Sequence, residues 1–328
     1  SAPARLIDAG IGRELLEAAV VAPSVHNSQP WQFEVGERSI DVYADAGRQL
    51  KVADAGGRSL LISCGAALFN MRVAADHLGF HPRVRLLPTE TDPTHVARLV
   101  VDHRHGRPGL MEELYSAMWR RRTNRFPFSD RPVPHSVLAR MQEATALENA
   151  ILRVYDNPAE VERISALLRE AELEEGLATP GAAAERRDWV DRSAAGEGIP
   201  PQNLGPRPTR REAVWRDLGP ARDPRRPVAA FESTPTVAIL STVLDQPVDW
   251  VRTGQALQRA LLVATVDGVS ASFVNQPVEM PDLRWLLRSP VSGRGVTQMV
   301  LRLGFGIPVP ATPRRPLDEV LRHPLHVD

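Results

Sequence analysis

The chain has 328 residues, 43% of them hydrophobic, which is enough for one large core or two smaller ones. Its 40 basic residues balance 40 acidic ones, so a general nucleic-acid or membrane-surface binder is not expected. No apolar run approaches the roughly 18 residues of a membrane helix, and the opening Ser-Ala-Pro-Ala-Arg-Leu lacks a charged-then-apolar leader pattern, so a cytoplasmic protein is expected.

A helical pattern over Leu15–Ala19 gives way to Ala22-Pro23-Ser24-Val25-His26-Asn27-Ser28-Gln29-Pro30-Trp31. Pro23 and Pro30 break regular structure on either side and predict a fixed loop after the helix. Ser24, Asn27 and Gln29, with His26 among them, offer closely spaced donors and acceptors. Such a set suits a flat heteroaromatic ligand whose ring carbonyls and nitrogens need both kinds of partner. A proline-bounded turn with no ligand is the plainer reading. Lys51 is the only lysine, so any anion site must be built from arginine. Cys64, the one cysteine, cannot form an internal disulfide and reads as a small buried hydrophobe.

Gly65, Ala67, Leu68, Ala75 and Gly79 recur with the same spacing as Gly254, Ala256, Leu257, Ala264 and Gly268. Each run predicts a helix that begins at its first small residue and ends at its last glycine. Extended stretches follow at Val96–Val101 and Val300–Phe305, and Leu15–Ala19 has a counterpart in Leu138–Ala144. The matching order predicts an internal duplication.

Between the two runs, Met111–Trp119 is helical in pattern and leads into Arg120-Arg121-Arg122-Thr123-Asn124-Arg125. Alternate side chains of extended backbone share a face, so Arg121, Thr123 and Arg125 would point together, with Arg122 the alternative register. Arginine forks meet phosphate oxygens in pairs, although such a run also reads as a solvated helix end. Residues 176–228 are rich in proline, glycine and arginine, including Pro180, Pro220 and Pro224. A stretch this long is a functional lid or a disordered excursion, and Trp189 and Trp215 favour the lid. Ala182–Ala194 has the pattern of one helix. Near the end, Leu301–Gly306 reads as extended and is followed by prolines and then Arg314-Arg315. Asp102-His103-Arg104-His105 is explained by an exposed polar turn, and His323 and His326 by a frayed tail, so no metal site is expected. There is no Gly-x-Gly-x-x-Gly after a strand and no phosphate-binding P-loop.

The run from Ala22 to Trp31 resembles the Ala-Pro-Ser-x-x-Asn-x-Gln-Pro-Trp signature of the FMN-dependent nitroreductase superfamily. The chain as a whole is similar to that superfamily's fused, Acg-like members from actinobacteria, over about residues 8–170 and 230–322. The resemblance implies an α+β nitroreductase-like fold of two fused, degenerate repeats forming an intramolecular pseudo-dimer. The halves would be residues 1–108 with the flavin-ring loop and 109–328 with the phosphate clamp and a lid at about 176–228. It implies one FMN, contacted by Ser24, His26, Asn27 and Gln29 on the ring side. Arg121, Thr123 and Arg125 would hold the phosphate together with Arg314 or Arg315, between which the sequence does not choose. Asn275 and Gln276 fall where the family lays backbone against flavin N5, at positions that often carry glycine. The activity implied is NAD(P)H-dependent reduction of a small nitroaromatic or quinone-like acceptor, with no obligate dimer. The alternatives are a flavin-storage protein without turnover and a flavin-dependent biosynthetic dehydrogenase.

Overall fold

The computed structural model describes residues 5–177, 180–190, 192–211, 213–219, 225–288 and 294–325. Helices and antiparallel strands mix in an α+β arrangement. Helix α1 (Ala9–Val20) starts at Asp8, whose carboxylate accepts from the Ile11 amide at 2.8 Å, and buries Leu15, Leu16, Ala18 and Ala19. A hairpin, β1 (Trp31–Val35) and β2 (Ser39–Ala44), precedes α2 (Arg58–His77), β3 (Arg83–Leu86) and β4 (His95–Val100). These strands form one antiparallel sheet in the order β1-β2-β4-β3.

Next come α3 (Glu112–Arg120), α4 (His135–Ala146), β5 (Ile151–Tyr155), α5 (Pro158–Leu177) and α6 (Pro180–Val190). Two short paired strands, β6 (Arg207–Pro208) and β7 (Val228–Ala229), lead to β8 (Thr236–Thr242) and α7 (Pro247–Val266). The chain ends with β9 (Ser270–Phe273), α8 (Pro281–Leu286), β10 (Val296–Gly304) and α9 (Leu317–Val320). The second sheet has the order β5-β8-β10-β9, again antiparallel. Each sheet thus sets its first strand beside its second, inserts a long helix, and puts its third strand at the far edge.

The two long helices, α2 and α7, pack together in one core that takes in residues of both sheets, where Leu68, Leu261 and Leu301 are buried. Neither begins at its predicted glycine. Asp54 accepts from the Ser59 and Leu60 amides (both 2.9 Å) and starts α2 earlier. A Gln246–Asp249 capping box does the same for α7. Gly65 and Gly254 instead sit inside the helices, at the crossing. A Cβ on Gly65 would collide with the Val251 carbonyl oxygen and lie 3.0 Å from Gly254 Cα. The C-terminal ends are as predicted: Gly79 and Gly268 follow the helices at φ 83° and 73°.

In the first half residues 36–38 join β1 to β2, whereas residues 156–235 join β5 to β8. The excursion therefore contains α5 and starts upstream of residue 176. The predicted helix Ala182–Ala194 is replaced by α6 and a short 3-10 turn, Ser193–Ala195. Gly196 and Gly198, at φ 73° and 69°, reverse the chain so that the Ile199 amide donates to the Val190 carbonyl at 2.9 Å. Pro220, Pro224 and His326 lie outside the described residues.

The excursion is pinned to the first half. Glu185 accepts from the backbone amides of Lys51, Val52 and Ala53, and Glu197 pairs with Arg48 at 2.5 Å. Trp189 is buried under the Arg192 guanidinium, and Trp215 meets Phe231 edge-on at 6.5 Å. After β10 the tail returns to the first half, where Leu321 bridges Phe33 on β1. Among the described residues no helix is long and apolar enough to cross a membrane.

Candidate functional site

A cleft open to solvent lies among residues of both sheets' neighbourhoods, lined by groups from Pro23–Asn27 at one end of the chain to Thr312 and Arg314 at the other. Its walls come from the loop after α1, the first turns of α2, the run after α3, the ends of β9 and β10, and the C-terminal tail. The excursion adds Ile199, Arg216 and Leu218.

The loop after α1 is held in a costly conformation. His26, Asn27 and Gln29 adopt φ of 49°, 56° and 50° without being glycine. Ser24 Oγ accepts from the Gln29 amide at 3.0 Å, and Ser63 Oγ from the Val25 amide at 3.1 Å. Ser24, His26 and Asn27 line the cleft, but Gln29 does not. Gln29 Nε2 donates to the Asn27 and Gly196 carbonyls (3.2 and 2.8 Å), and its Oε1 accepts from the Arg315 backbone amide at 2.9 Å. Asn27 Nδ2 donates to the Gly198 and Pro313 carbonyls at 2.9 and 3.0 Å. These two amides therefore bind the excursion and the tail to the loop. His26 Nε2 is buried without a partner. Burial, then the charges of Arg216, Arg186 and Arg125, hold the His26 pKa well below its ordinary value, so the imidazole is neutral.

The run after α3 is extended, and Thr123 bridges Ala271 at the edge of β9. Arg121, Thr123 and Arg125 all face the cleft, whereas Arg122 turns back to the Trp119 and Arg121 carbonyls at 2.9 and 2.8 Å. Arg121 is 6% exposed, its Nε has no partner, and its Nη1 reaches only Thr123 Oγ1 at 3.5 Å. Burial, then Arg314, Arg122 and Arg125, push its pKa down to about 9. Arg125 is pushed to about 10 by burial and then Arg216 and Arg226; its Nη1 donates to the Asn203 carbonyl at 3.1 Å.

Of the two tail arginines, Arg314 lines the cleft and Arg315 does not. Arg314 also closes α1 by donating to the Val20, Val21 and Ala22 carbonyls at 2.7 to 3.2 Å. Burial and Arg122 take its pKa to about 10. Arg315 is spent on the Gln29 and Glu319 carbonyls at 3.3 and 2.8 Å.

Asn275 lines the cleft, and its Oδ1 accepts from the Val300 amide at 2.7 Å, beside the register shift in β10 between Thr297 and Met299. A glycine could not supply that acceptor. Gln276 points away and donates to Glu175, which also pairs with Arg186. Sequence reasoning missed Arg216 and Glu279. They form a two-pronged ion pair, both bonds 2.8 Å, on the cleft wall. Burial opposes the Arg216 charge, but the Glu279 carboxylate outweighs it and raises the pKa.

Among the described residues, Arg121, Arg125 and Arg314 have no carboxylate within ion-pair distance. Arg121 is buried and Arg125 and Arg314 are half-buried, so gathering these cations without a counter-charge is costly, most of all at Arg121, unless an anion joins them. Ile62, Leu257, Phe273 and Met299 supply apolar walls nearby. The arrangement fits a ligand that is flat and apolar at one end and multiply anionic at the other. Among the described residues no group of three His, Cys, Asp or Glu side chains could hold a metal ion.

No protein-family model matches the chain. Among solved structures, the FMN-dependent nitroreductase NfnB from Mycobacterium smegmatis, in complex with NADPH, aligns with a TM-score of 0.40. It is 19% identical, and the alignment covers 64% of this chain and 99% of that one. "Putative NAD(P)H nitroreductase acg" of Mycobacterium tuberculosis is 28% identical over 326 residues, covering 97% of each chain. "Putative NAD(P)H nitroreductase Rv3131" of the same organism is 31% identical over 327 residues, covering 97% of this chain and 92% of its own. With that identity sustained along nearly its whole length, the chain belongs to the nitroreductase family of these mycobacterial proteins.

Proposed function

We propose that the protein binds one FMN in the cleft and uses NAD(P)H to reduce a small nitroaromatic or quinone-like acceptor. The observation that carries this reading is Arg121: a buried guanidinium with an unpartnered Nε, in a cleft that both halves build. A phosphate monoester carries nearly two negative charges and three acceptor oxygens, the partner such a group lacks. Arg121 and Thr123, with Arg314 adjacent, would hold the phosphate. Ser24, His26 and Asn27 would flank the ring, and Ile62, Leu257 and Phe273 would shield it from water. Gln29, Gln276 and Arg315 act by positioning, since they do not line the cleft and their polar atoms are used inside the protein. Arg314 and Asn27 line the cleft, but the Arg314 nitrogens and Asn27 Nδ2 already donate to carbonyls, so Arg314 contributes its charge and Asn27 its remaining oxygen. The flavin supplies the electron chemistry; the protein's part is binding, orientation and electrostatics.

The same reading takes residues 1–108 and 109–328 as descendants of one duplicated unit, supported by their shared strand order and paired crossing glycines. It takes the excursion as a lid, supported by Ile199, Arg216 and Leu218 on the cleft wall. The printed names of the relatives support the reductase activity.

The hydrogen bonds that Asn27 and Gln29 send into the excursion favour one alternative, a protein that stores flavin behind a closed lid. Flavin analysis of the purified protein separates the readings when combined with anaerobic titration by NADPH and NADH. One FMN per chain, with bleaching of its visible band, supports the reductase. FMN without bleaching supports storage, and a protein that takes up no FMN overturns both.

A further inference from the structure

Among the described residues, three cleft-lining side chains carry a buried nitrogen without a partner: Arg121 Nε, His26 Nε2 and Arg216 Nε. The first belongs to the run that holds the phosphate in the reading above. The other two sit elsewhere, on the strained loop and on the excursion, and are 7% and 8% exposed. Asn27, the neighbour of His26, sends its amide nitrogen to the excursion and the tail, and Ser28, whose hydroxyl is also unpartnered, does not line the cleft, so among the loop's cleft-lining residues His26 carries the buried unpartnered polar atom.

A charge count points the same way. Of the cleft arginines only Arg216 has a carboxylate, Glu279, which leaves Arg121, Arg125 and Arg314 uncompensated among the described residues. One phosphate offsets about two of these three charges. Arg121 feels Arg314 more strongly than Arg125, and Arg125 also faces Arg216 and His26, so with the phosphate at Arg121 and Arg314 the surplus cation is Arg125, on the side toward His26. That end shares Ile199 and Leu218 with a second chamber lined by Phe126, Val190 and Leu204 and carrying Arg187, Arg226 and Asp188, two cations to one carboxylate among those three. A largely apolar approach with cations along it, leading to unpartnered nitrogens and a surplus cation, suits an aromatic anion.

We propose that His26 Nε2 and Arg216 Nε, with the Arg125 guanidinium beside them, form a recognition subsite for the carboxylate of the electron acceptor, which is therefore an aromatic carboxylate rather than a neutral nitroarene or quinone. The inference rests on the FMN reading for the surplus of charge. The neutral imidazole donates one hydrogen bond through Nε2, and Arg216 keeps both outer nitrogens on Glu279 while Nε meets the second oxygen. His26 and Arg216 are specificity residues here and carry no step of electron transfer.

The test is calorimetric titration of the FMN-loaded protein, without reductant, with 4-nitrobenzoate and 4-nitrobenzamide, which share shape but not charge. The benzoate should bind at least about tenfold tighter, equivalent to 1.4 kcal/mol. That preference should fall to within about twofold in His26→Ala and in the charge-balanced double variant Arg216→Gln/Glu279→Gln. His26→Asn tolerates the positive φ and keeps a donor, so it should recover part of the preference. Equal affinities in the wild type would overturn the proposal, as would variants that leave the preference intact. A loss of NADPH affinity without change in the benzoate preference would also overturn it, by assigning the subsite to the phosphates of the nicotinamide cofactor. Flavin content is measured in parallel. A protein that binds no FMN but still prefers benzoate would sink the FMN reading and leave the subsite standing.

Discussion

Replacing Arg121 with methionine should change the sign of its effect when FMN is added. The guanidinium is buried, has no carboxylate partner among the described residues, and is held near pKa 9, well below the ordinary arginine value, a displacement that sets an upper limit of several kcal/mol on the cost of its charge. Methionine keeps the bulk and removes the charge. The FMN-free variant should therefore be more stable, by about 2 kcal/mol, or roughly 4 °C in Tm. With FMN the balance reverses, because each charge-assisted hydrogen bond to phosphate is worth about 1.5 to 3 kcal/mol. Kd for FMN should rise about 10- to 150-fold per bond lost, while riboflavin, which has no phosphate, should change by less than about twofold. The pH dependence follows from the depressed pKa. Above about pH 9, and up to the ordinary arginine value, the unfolded chain binds more protons at this residue than the folded one, so this residue's destabilising effect on the FMN-free wild type fades as pH rises through that window. Differential scanning fluorimetry with and without FMN, paired with flavin titrations, measures all three quantities. A lower Tm in the FMN-free variant, or equal losses for FMN and riboflavin, would refute the assignment.

Three other substitutions probe different parts of the structure. Gly254→Ala places a methyl group against the Ile62 carbonyl at the helix crossing, where no side chain can give way, so denaturant titration should show a loss of about 3 kcal/mol or more. A loss under about 1 kcal/mol would mean the helices can part there. Gln29→Ala removes bonds to the loop, the excursion and the tail but touches no phosphate position, so FMN and riboflavin should weaken alike, by roughly tenfold. The pair Glu185→Gln and Glu197→Gln should speed amide exchange in α6 and FMN release together. Faster exchange with unchanged release would show that the excursion does not gate the cleft.

Much of the fold was legible because local rules decided it. Apolar spacing marked α2 and α7, and left-handed glycines marked their ends. The starts were misread because Gly65 and Gly254 were taken as punctuation. Their role comes from each other, across 189 positions (254 − 65), and only the crossing shows it. The alternation that set Arg121, Thr123 and Arg125 on one face was legible for the opposite reason, since two-residue periodicity needs no knowledge of the rest of the chain.

What stayed hidden in the site was the use made of each polar group. Asn27 and Gln29 look like ligand-binding amides because the motif lists donors and acceptors without saying where they point. Their partners, Gly196, Gly198, Pro313 and Arg315, lie 167 to 286 positions away. Arg216 was invisible for a related reason: in a segment dense with arginine, composition cannot pick the one whose carboxylate, Glu279, lies 63 positions downstream. Positive φ at His26 left no glycine to betray it either. That strain is borne partly by bonds near the loop, to Ser24 and Ser63, and partly by those that Asn27 and Gln29 make with the excursion and the tail. Part of the loop's shape is therefore set by segments far away in the chain, which is why the motif alone shows which groups are present and not where they point.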